Sequence, residues 1–231
     1  MDREDIFISS LQLSGLHRTP TEINYKDQVR ESNLGGNIQY SSPNRQLQLG
    51  INSLFTRYNQ PFLRNPQIYN QFEFSGQENH IHSGYISYNI QNYFLFGETA
   101  ISKSGGMGSV LGVMSSLSRT VDLSLLWRKF DRSFHTFYGN SFSENTRPIN
   151  EEGIYLGLNF RPNIKYNWSI YYDQFKFPWI KFRTYSPSEG YEWLTRFTYR
   201  PSKAVLLFYC SQVRYKNQSI AESLERNLRW L

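Results

Sequence analysis

The sequence predicts an all-β fold laid out as an antiparallel up-and-down sheet, and three observations predict it. Apolar and polar residues alternate one by one in stretch after stretch, with no helical periodicity of any length. The connections between those stretches sort into tight turns and long polar loops by the parity of the strand they leave. Aromatic residues make up 17% of the 231 residues and charged residues only 19%, against roughly 25% charged in ordinary soluble domains.

Twelve stretches carry the alternation, at 5–13, 34–42, 46–58, 79–90, 93–103, 107–118, 120–131, 151–161, 164–176, 190–200, 203–214 and 222–231. The first lies in "MDREDIFISSLQL", which lacks the basic and apolar regions of a signal peptide, so an exported protein is expected to be a mature form or a piece of something longer. Between the first two, "RTPTEINYKDQVRES" at 18–32 has helix-friendly residues, with Thr19 or Thr21 as caps. It reads as a short helix, a plug-like element or a solvated loop. "SSPN" at 41–44 turns the second strand into the third, where Leu47, Leu49, Ile51 and Phe55 oppose Gln46, Gln48 and Asn52. After a long connection at 59–78, "QN" at 91 and 92 joins the next pair.

The glycine-rich "SKSGGMGS" at 102–109 lacks the Gly-Lys-Ser/Thr ending of a phosphate loop and precedes no helix, so it reads as a turn. "SRT" at 118–120 opens the strand at 120–131, with Val121, Leu123, Leu125 and Trp127 against Asp122, Ser124 and Arg128. A long connection at 132–150 follows. The hairpin at 151–176 places Ile154, Leu156, Leu158, Phe160, Trp168, Ile170 and Tyr172 on one side, and Tyr155, Asn159, Asn167, Ser169 and Tyr171 on the other, with "RPN" at 161–163 as its turn. After the connection at 177–189, Tyr191, Trp193, Phe197 and Tyr199 oppose Glu192, Leu194, Arg196 and Thr198, and "RPSK" at 200–203 makes the last tight turn.

In an up-and-down sheet this parity places the tight turns on one rim and the long loops on the other, as in outer-membrane barrels. Each stretch is near the length a tilted strand needs to cross a bilayer. Ionisable residues opposite the apolar face are too costly for a dry core unless paired, and are at home in a wet lumen. Aromatics such as Tyr40, Tyr58, Phe130, Tyr166, Trp179 and Tyr199 gather near strand ends, as they do where a membrane meets water. The predicted architecture is therefore a transmembrane β-barrel of about twelve strands, closed or incomplete, in a single domain over 1–231. Its expected lumen-facing residues are Asp122, Arg128, Asn159, Asn167, Glu192 and Arg196. Its expected lipid-facing residues are Leu123, Leu125, Leu156, Leu158, Trp168, Ile170, Trp193 and Phe197. A large soluble sandwich or barrel is the other reading, since its strands also alternate.

Several function classes find no support. A mean hydropathy of -0.57 and the lack of about 18 consecutive apolar residues exclude a helical membrane protein. The net charge of +6 comes from 25 basic residues scattered among 19 acidic ones, with no run of the kind nucleic acid attracts. One cysteine, Cys210, leaves no disulfide framework and no cysteine-rich zinc site. His80 and His82 share a strand face, yet a solvated strand end explains them more simply than a metal site. Glu151 and Glu152 sit where a loop returns to a strand and read as rim charges rather than as an acid/base pair. No spacing selects a serine, histidine and acid set, so neither enzyme nor cofactor is expected.

The words "SGLHRTPTEI" at 14–23, "LFGETA" at 95–100, "LWRKF" at 126–130, "NEEGIYLG" at 150–157 and "YYDQFKFPW" at 171–179 resemble a Gram-negative family of large outer-membrane barrel proteins. Its members carry a competence-type helix-hairpin-helix region before the barrel. The resemblance implies an outer-membrane location, the lipid bilayer as partner, and protein partners in an uptake or export machinery. It does not bring nucleic-acid binding to this chain, which lacks the helix-hairpin-helix motif. The functional expectation is a channel or scaffold assisting transport of a macromolecule, DNA or protein, across the outer membrane. A secreted soluble β-rich module that binds carbohydrate through exposed aromatics is the alternative, and a membrane-embedded hydrolase is a weaker third.

Overall fold

A computed structural model describes residues 7–9, 16 and 18–217 of the chain. These residues form one antiparallel sheet of ten strands in sequence order, each hydrogen-bonded to the next. The strands are β1 Glu31–Ser41, β2 Leu47–Phe62, β3 Gly76–Ile90, β4 Tyr93–Ser102, β5 Met107–Ser116, β6 Val121–Phe130, β7 Glu151–Asn163, β8 Tyr166–Phe177, β9 Ser188–Ser202 and β10 Val205–Lys216. The up-and-down order is what alternation and short turns dictate. The sheet is not closed: β1 and β10 each pair with one neighbour and not with each other.

Ten of the twelve expected strands are present, with ends displaced by a few residues. Of the stretch at 5–13 the described part makes an isolated parallel bridge, Ile8 to Phe62, rather than an antiparallel strand. The stretch at 222–231 lies outside the described residues. Proline explains three of the shifted ends, those of β2, β7 and β9. "RPN" is not the turn after β7; the strand runs on to Asn163, its pairing with β8 skips between Phe160 and Asn163, and Ile164 and Lys165 make the reversal. Pro162 has no N–H to give the ladder and sits in that irregularity. "RPSK" behaves alike, with Pro201 inside the last residues of β9 and a register shift at Val205/Leu207. Pro61 ends β2 the same way, across a shift between Arg57 and Phe62.

Tight connections at 42–46, 91–92, 117–120, 164–165 and 203–204 share one rim, and the long loops 63–75, 131–150 and 178–187 share the other. One short connection, 103–106, also falls on the long-loop rim, an exception to the expected sorting. Helix α1, Pro20–Asn24, precedes the sheet; Thr19 caps it, with Glu22 completing a capping box, as its Thr-x-x-Glu spacing dictates. None of its residues is buried.

Buried hydrophobic packing is small and lies at the long-loop end. Ile8, Tyr58 and Phe62 form its centre, against Val29, Phe74 and Phe137, with Tyr58 edge-on to Phe62 at 4.8 Å. The sheet is not wrapped around a core on either side, so its two faces must be explained by what each presents.

Candidate functional site

Cross-strand register puts one set of side chains on each face over all ten strands. On one face lie Leu34, Ile38, Leu49, Ile51, Ile86, Leu95, Leu111, Leu125, Trp127, Ile154, Leu158, Trp168, Trp193 and Phe197, every one exposed. Leu123 pairs with Leu158 and Leu125 with Leu156; Leu158 pairs with Ile170, and Trp168 with Phe197. The eight residues expected to meet lipid therefore share this face. Its charged residues stand in a row at the long-loop end: Arg57–Glu78 at 3.6 Å, Lys103–Glu78 at 3.6 Å, Lys129–Glu152 at 3.4 Å and Lys176–Glu152 at 2.9 Å. Tyr40, Tyr88, Tyr93, Tyr166 and Tyr199 mark the tight-turn end. On the apolar face of β8 the uncharged residues Tyr166, Trp168, Ile170, Tyr172 and Gln174 span about 26 Å along the strand, or about 20 Å of height at a tilt near 40°. His80 and His82 sit on this face with ring centroids 5.6 Å apart, and no group of three metal-ligating side chains occurs among the described residues.

The opposite face is polar and carries the six expected lumen residues. Asp122 pairs with Arg161 and accepts from Ser116 at 2.9 Å and Asn159 at 3.3 Å. Glu192 accepts from Tyr171, from Gln212 at 3.0 Å and from Arg214 Nε at 3.1 Å. Arg196 lies over the Phe208 ring at 5.2 Å. Asn167 donates to Ser169 at 3.5 Å, and its Oδ1 is buried without a hydrogen-bond partner.

Arg128 is the centre of a buried cluster that the sequence did not reveal. Its Nε donates to Glu151 at 2.7 Å, and its two terminal nitrogens donate to Asp173 at 2.7 and 3.0 Å, a bidentate pairing of the strong kind. Arg128 and Glu151 are wholly buried. The space exists because position 153 is glycine: a Cβ there would stand 2.6 Å from the guanidinium carbon. Glu151 is thus not a rim charge. It is in phase with Gly153, Tyr155 and Asn159 on the polar face, whereas Glu152, one residue on, is the rim charge.

Loop 131–150 folds over this polar face. Glu151 accepts the backbone N–H of Glu144 at 2.8 Å and of Asn145 at 3.0 Å, and Glu144 pairs with Arg214 and Lys216 of β10. Farther along, Tyr138 is hydrogen-bonded to Asn33 of β1 at 3.2 Å. One short stretch therefore touches both edge strands, which a flat ten-stranded sheet would hold about 43 Å apart; the sheet curls toward the loop. The ring of Phe134 fills the pit above Gly108, where a Cβ would come within 2.5 Å of it. The short turn at 103–106 lets the loop cross, and Ser104 donates to the carbonyl of Ser133.

The three long loops are tied together. His135 Nε2 donates to the Phe72 carbonyl at 2.7 Å, Arg147 pairs with Glu73 at 3.0 Å, and Asn150 exchanges two hydrogen bonds with Trp179. Trp179 in turn donates to the Ile68 carbonyl at 3.0 Å. Burial holds the His135 imidazole below its ordinary pKa and likewise lowers Lys181, whose ammonium donates to Asn145 at 2.7 Å. A loop of this length without secondary structure, held this firmly, is ordinarily functional. Sequence reasoning read it only as long and polar.

A scan against protein-family models and a search of curated proteins find no match to this chain.

Proposed function

We propose that this chain forms the wall of an outer-membrane β-barrel that acts as a channel or scaffold in the transport of a macromolecule, with loop 131–150 narrowing its lumen. The observation that carries this reading is the outer face. It is apolar, exposed and continuous across ten strands, bounded by a charged row at one end and tyrosines at the other. Water does not tolerate an apolar surface of that extent on a soluble monomer, whereas the hydrocarbon layer of a bilayer requires one. The polar face with its hydrogen-bonded charges then lines the lumen, the tight turns face the periplasm and the long loops face outward. The resemblance to outer-membrane barrel proteins supports the same location and partners in a transport machinery. In lipid the edges of β1 and β10 must be paired, because no water is there to satisfy them.

The test is expression in a Gram-negative host. The chain is expected in the outer-membrane fraction, extracted only by detergent, and faster on a denaturing gel unheated than boiled. A chain that stays soluble and monomeric without detergent sinks the proposal. Carbohydrate-dependent quenching of its tryptophans in that state would instead support a soluble sugar-binding module.

A further inference from the structure

Between loop 131–150 and the inner face of β3 to β6 lies an open space of about 550 Å³, within the range of small-molecule sites. Its walls are mainly apolar or aromatic, with Phe96, Phe130, Phe134 and Phe142 among the lining residues. Glu98 is the only charged residue lining it. Among the described residues no cation pairs with Glu98 and no donor reaches it, in contrast to Asp122, Glu144, Glu151, Asp173 and Glu192, which are all engaged. The hydroxyls of Ser83 and Tyr85 on the same wall already bond to Asn52 at 3.1 Å and to Gln39 at 3.0 Å.

We propose that this space binds a small organic cation whose ammonium meets Glu98 and whose body lies against the phenylalanine rings. Glu98 is exposed to this space and has no counter-charge among the described residues, so an ammonium that enters finds an unengaged carboxylate whose pull is that of a solvent-screened pair. Aromatic faces add a cation–π component, and the rings offer apolar contact to a carbon skeleton. An anion finds no positive group among the residues lining the space, and Arg128, whose guanidinium lies over the lining ring of Phe142, is saturated by Glu151 and Asp173. The site needs only the fold of the polar face and its loop, so it stands or falls separately from the placement of the outer face in lipid.

The experiment is calorimetric titration of the full chain, in whatever medium keeps it monodisperse, with tyramine and with its neutral analogue 4-(2-hydroxyethyl)phenol. Tyramine is expected to bind about two- to fivefold more tightly, the value of one exposed ion pair. Glu98→Gln should erase the difference, and Asp122→Asn, which touches an acid already paired, should leave it intact. Val110 stands directly across from Glu98 on β5. Val110→Lys should therefore supply an internal counter-charge and erase the preference with Glu98 still in place. Equal affinities in the wild type, no binding by folded protein, or a tyramine preference that survives both Glu98→Gln and Val110→Lys overturns the proposal.

Discussion

The polar face is built in two unlike halves. From β1 to β5 its cross-strand network is neutral apart from Glu31 at the end of β1, which accepts from Asn33: Asn37 donates to Asn52 at 2.7 Å, Asn52 to Ser83 at 3.1 Å, and Tyr85 to Gln39 at 3.0 Å. From β6 to β10 it is a chain of ion pairs, from Asp122–Arg161 through Arg128 with Glu151 and Asp173 to Glu192 with Arg214. The loop lies differently on each. Over the charged half it is seated on Glu151 by two backbone donors and held to β10 by Glu144. Over the neutral half it is held by neutral contacts, Asn79 to the His135 carbonyl at 2.8 Å and Asn33 to Tyr138 at 3.2 Å, and leaves an open space beside Glu98. Neutral partners hold a wall together at low cost and leave room, whereas buried charges demand that every partner be present and so fill the space around them.

The largest effect is expected where that demand is broken. Arg128→Met leaves Glu151 and Asp173 buried without their cation and should lower unfolding stability by about 3–5 kcal/mol. Asn52→Ala in the neutral half should cost about 1 kcal/mol. Equilibrium denaturation in detergent measures both. The triple variant Arg128→Met, Glu151→Gln, Asp173→Asn removes the charges together and should recover most of the loss. A triple variant as unstable as the single one would show that the cluster contributes through shape rather than through paired charge.

These halves were unequally legible in the sequence. Face assignment was legible throughout, because a period of two admits only two phases and an in-register ladder carries the phase from strand to strand. Leu123, Leu158 and Ile170 fall together for that reason, as do Asp122 and Asn159. The cluster around Arg128 was half legible. Glu151 is in phase with the polar face, but its neighbour Glu152 invited one reading for both. Asp173 showed no signal, since it is 45 positions from Arg128 and nothing local says that they meet. The position of loop 131–150 was illegible, because a polar loop that overhangs the rim and one that folds onto the wall have the same composition. Strand ends near Pro61, Pro162 and Pro201 were misplaced because proline marks a turn and a strand irregularity equally well.

Glycine offers a sharper probe of the same contrast. A β-branched side chain at 153 must displace the Arg128 guanidinium, 2.6 Å from where its Cβ would stand. Gly153→Val should therefore destabilise by about 1–3 kcal/mol, an overpacking cost. Gly84, on the outer face of β3, has no atom within 4 Å of an added Cβ, and a β-branched residue suits an exposed strand. Gly84→Val should stay within about 0.5 kcal/mol of wild type. Equal losses at the two positions would mean that the pit above Gly153 is not specific to the arginine.

The smallest expected effect concerns the neutral side of the loop, where His135 is the titratable anchor. It is held between the Phe72 carbonyl, to which it donates, and the Glu73–Arg147 pair, with burial as the largest cause of its lowered pKa. A base whose folded pKa lies below its unfolded value binds more protons when released, so stability falls as pH drops through the unfolded value near 6.5. Between pH 7.5 and 5.5 the loop should thus open more readily at its His135 end, seen as faster limited proteolysis around residues 136–141. His135→Gln, which can still donate to the carbonyl but cannot charge, should flatten that pH dependence while leaving the rate at pH 7.5 nearly unchanged. Equal acid sensitivity in the variant would place the response in the charged half instead, and the two halves would then be coupled through the loop rather than anchored independently.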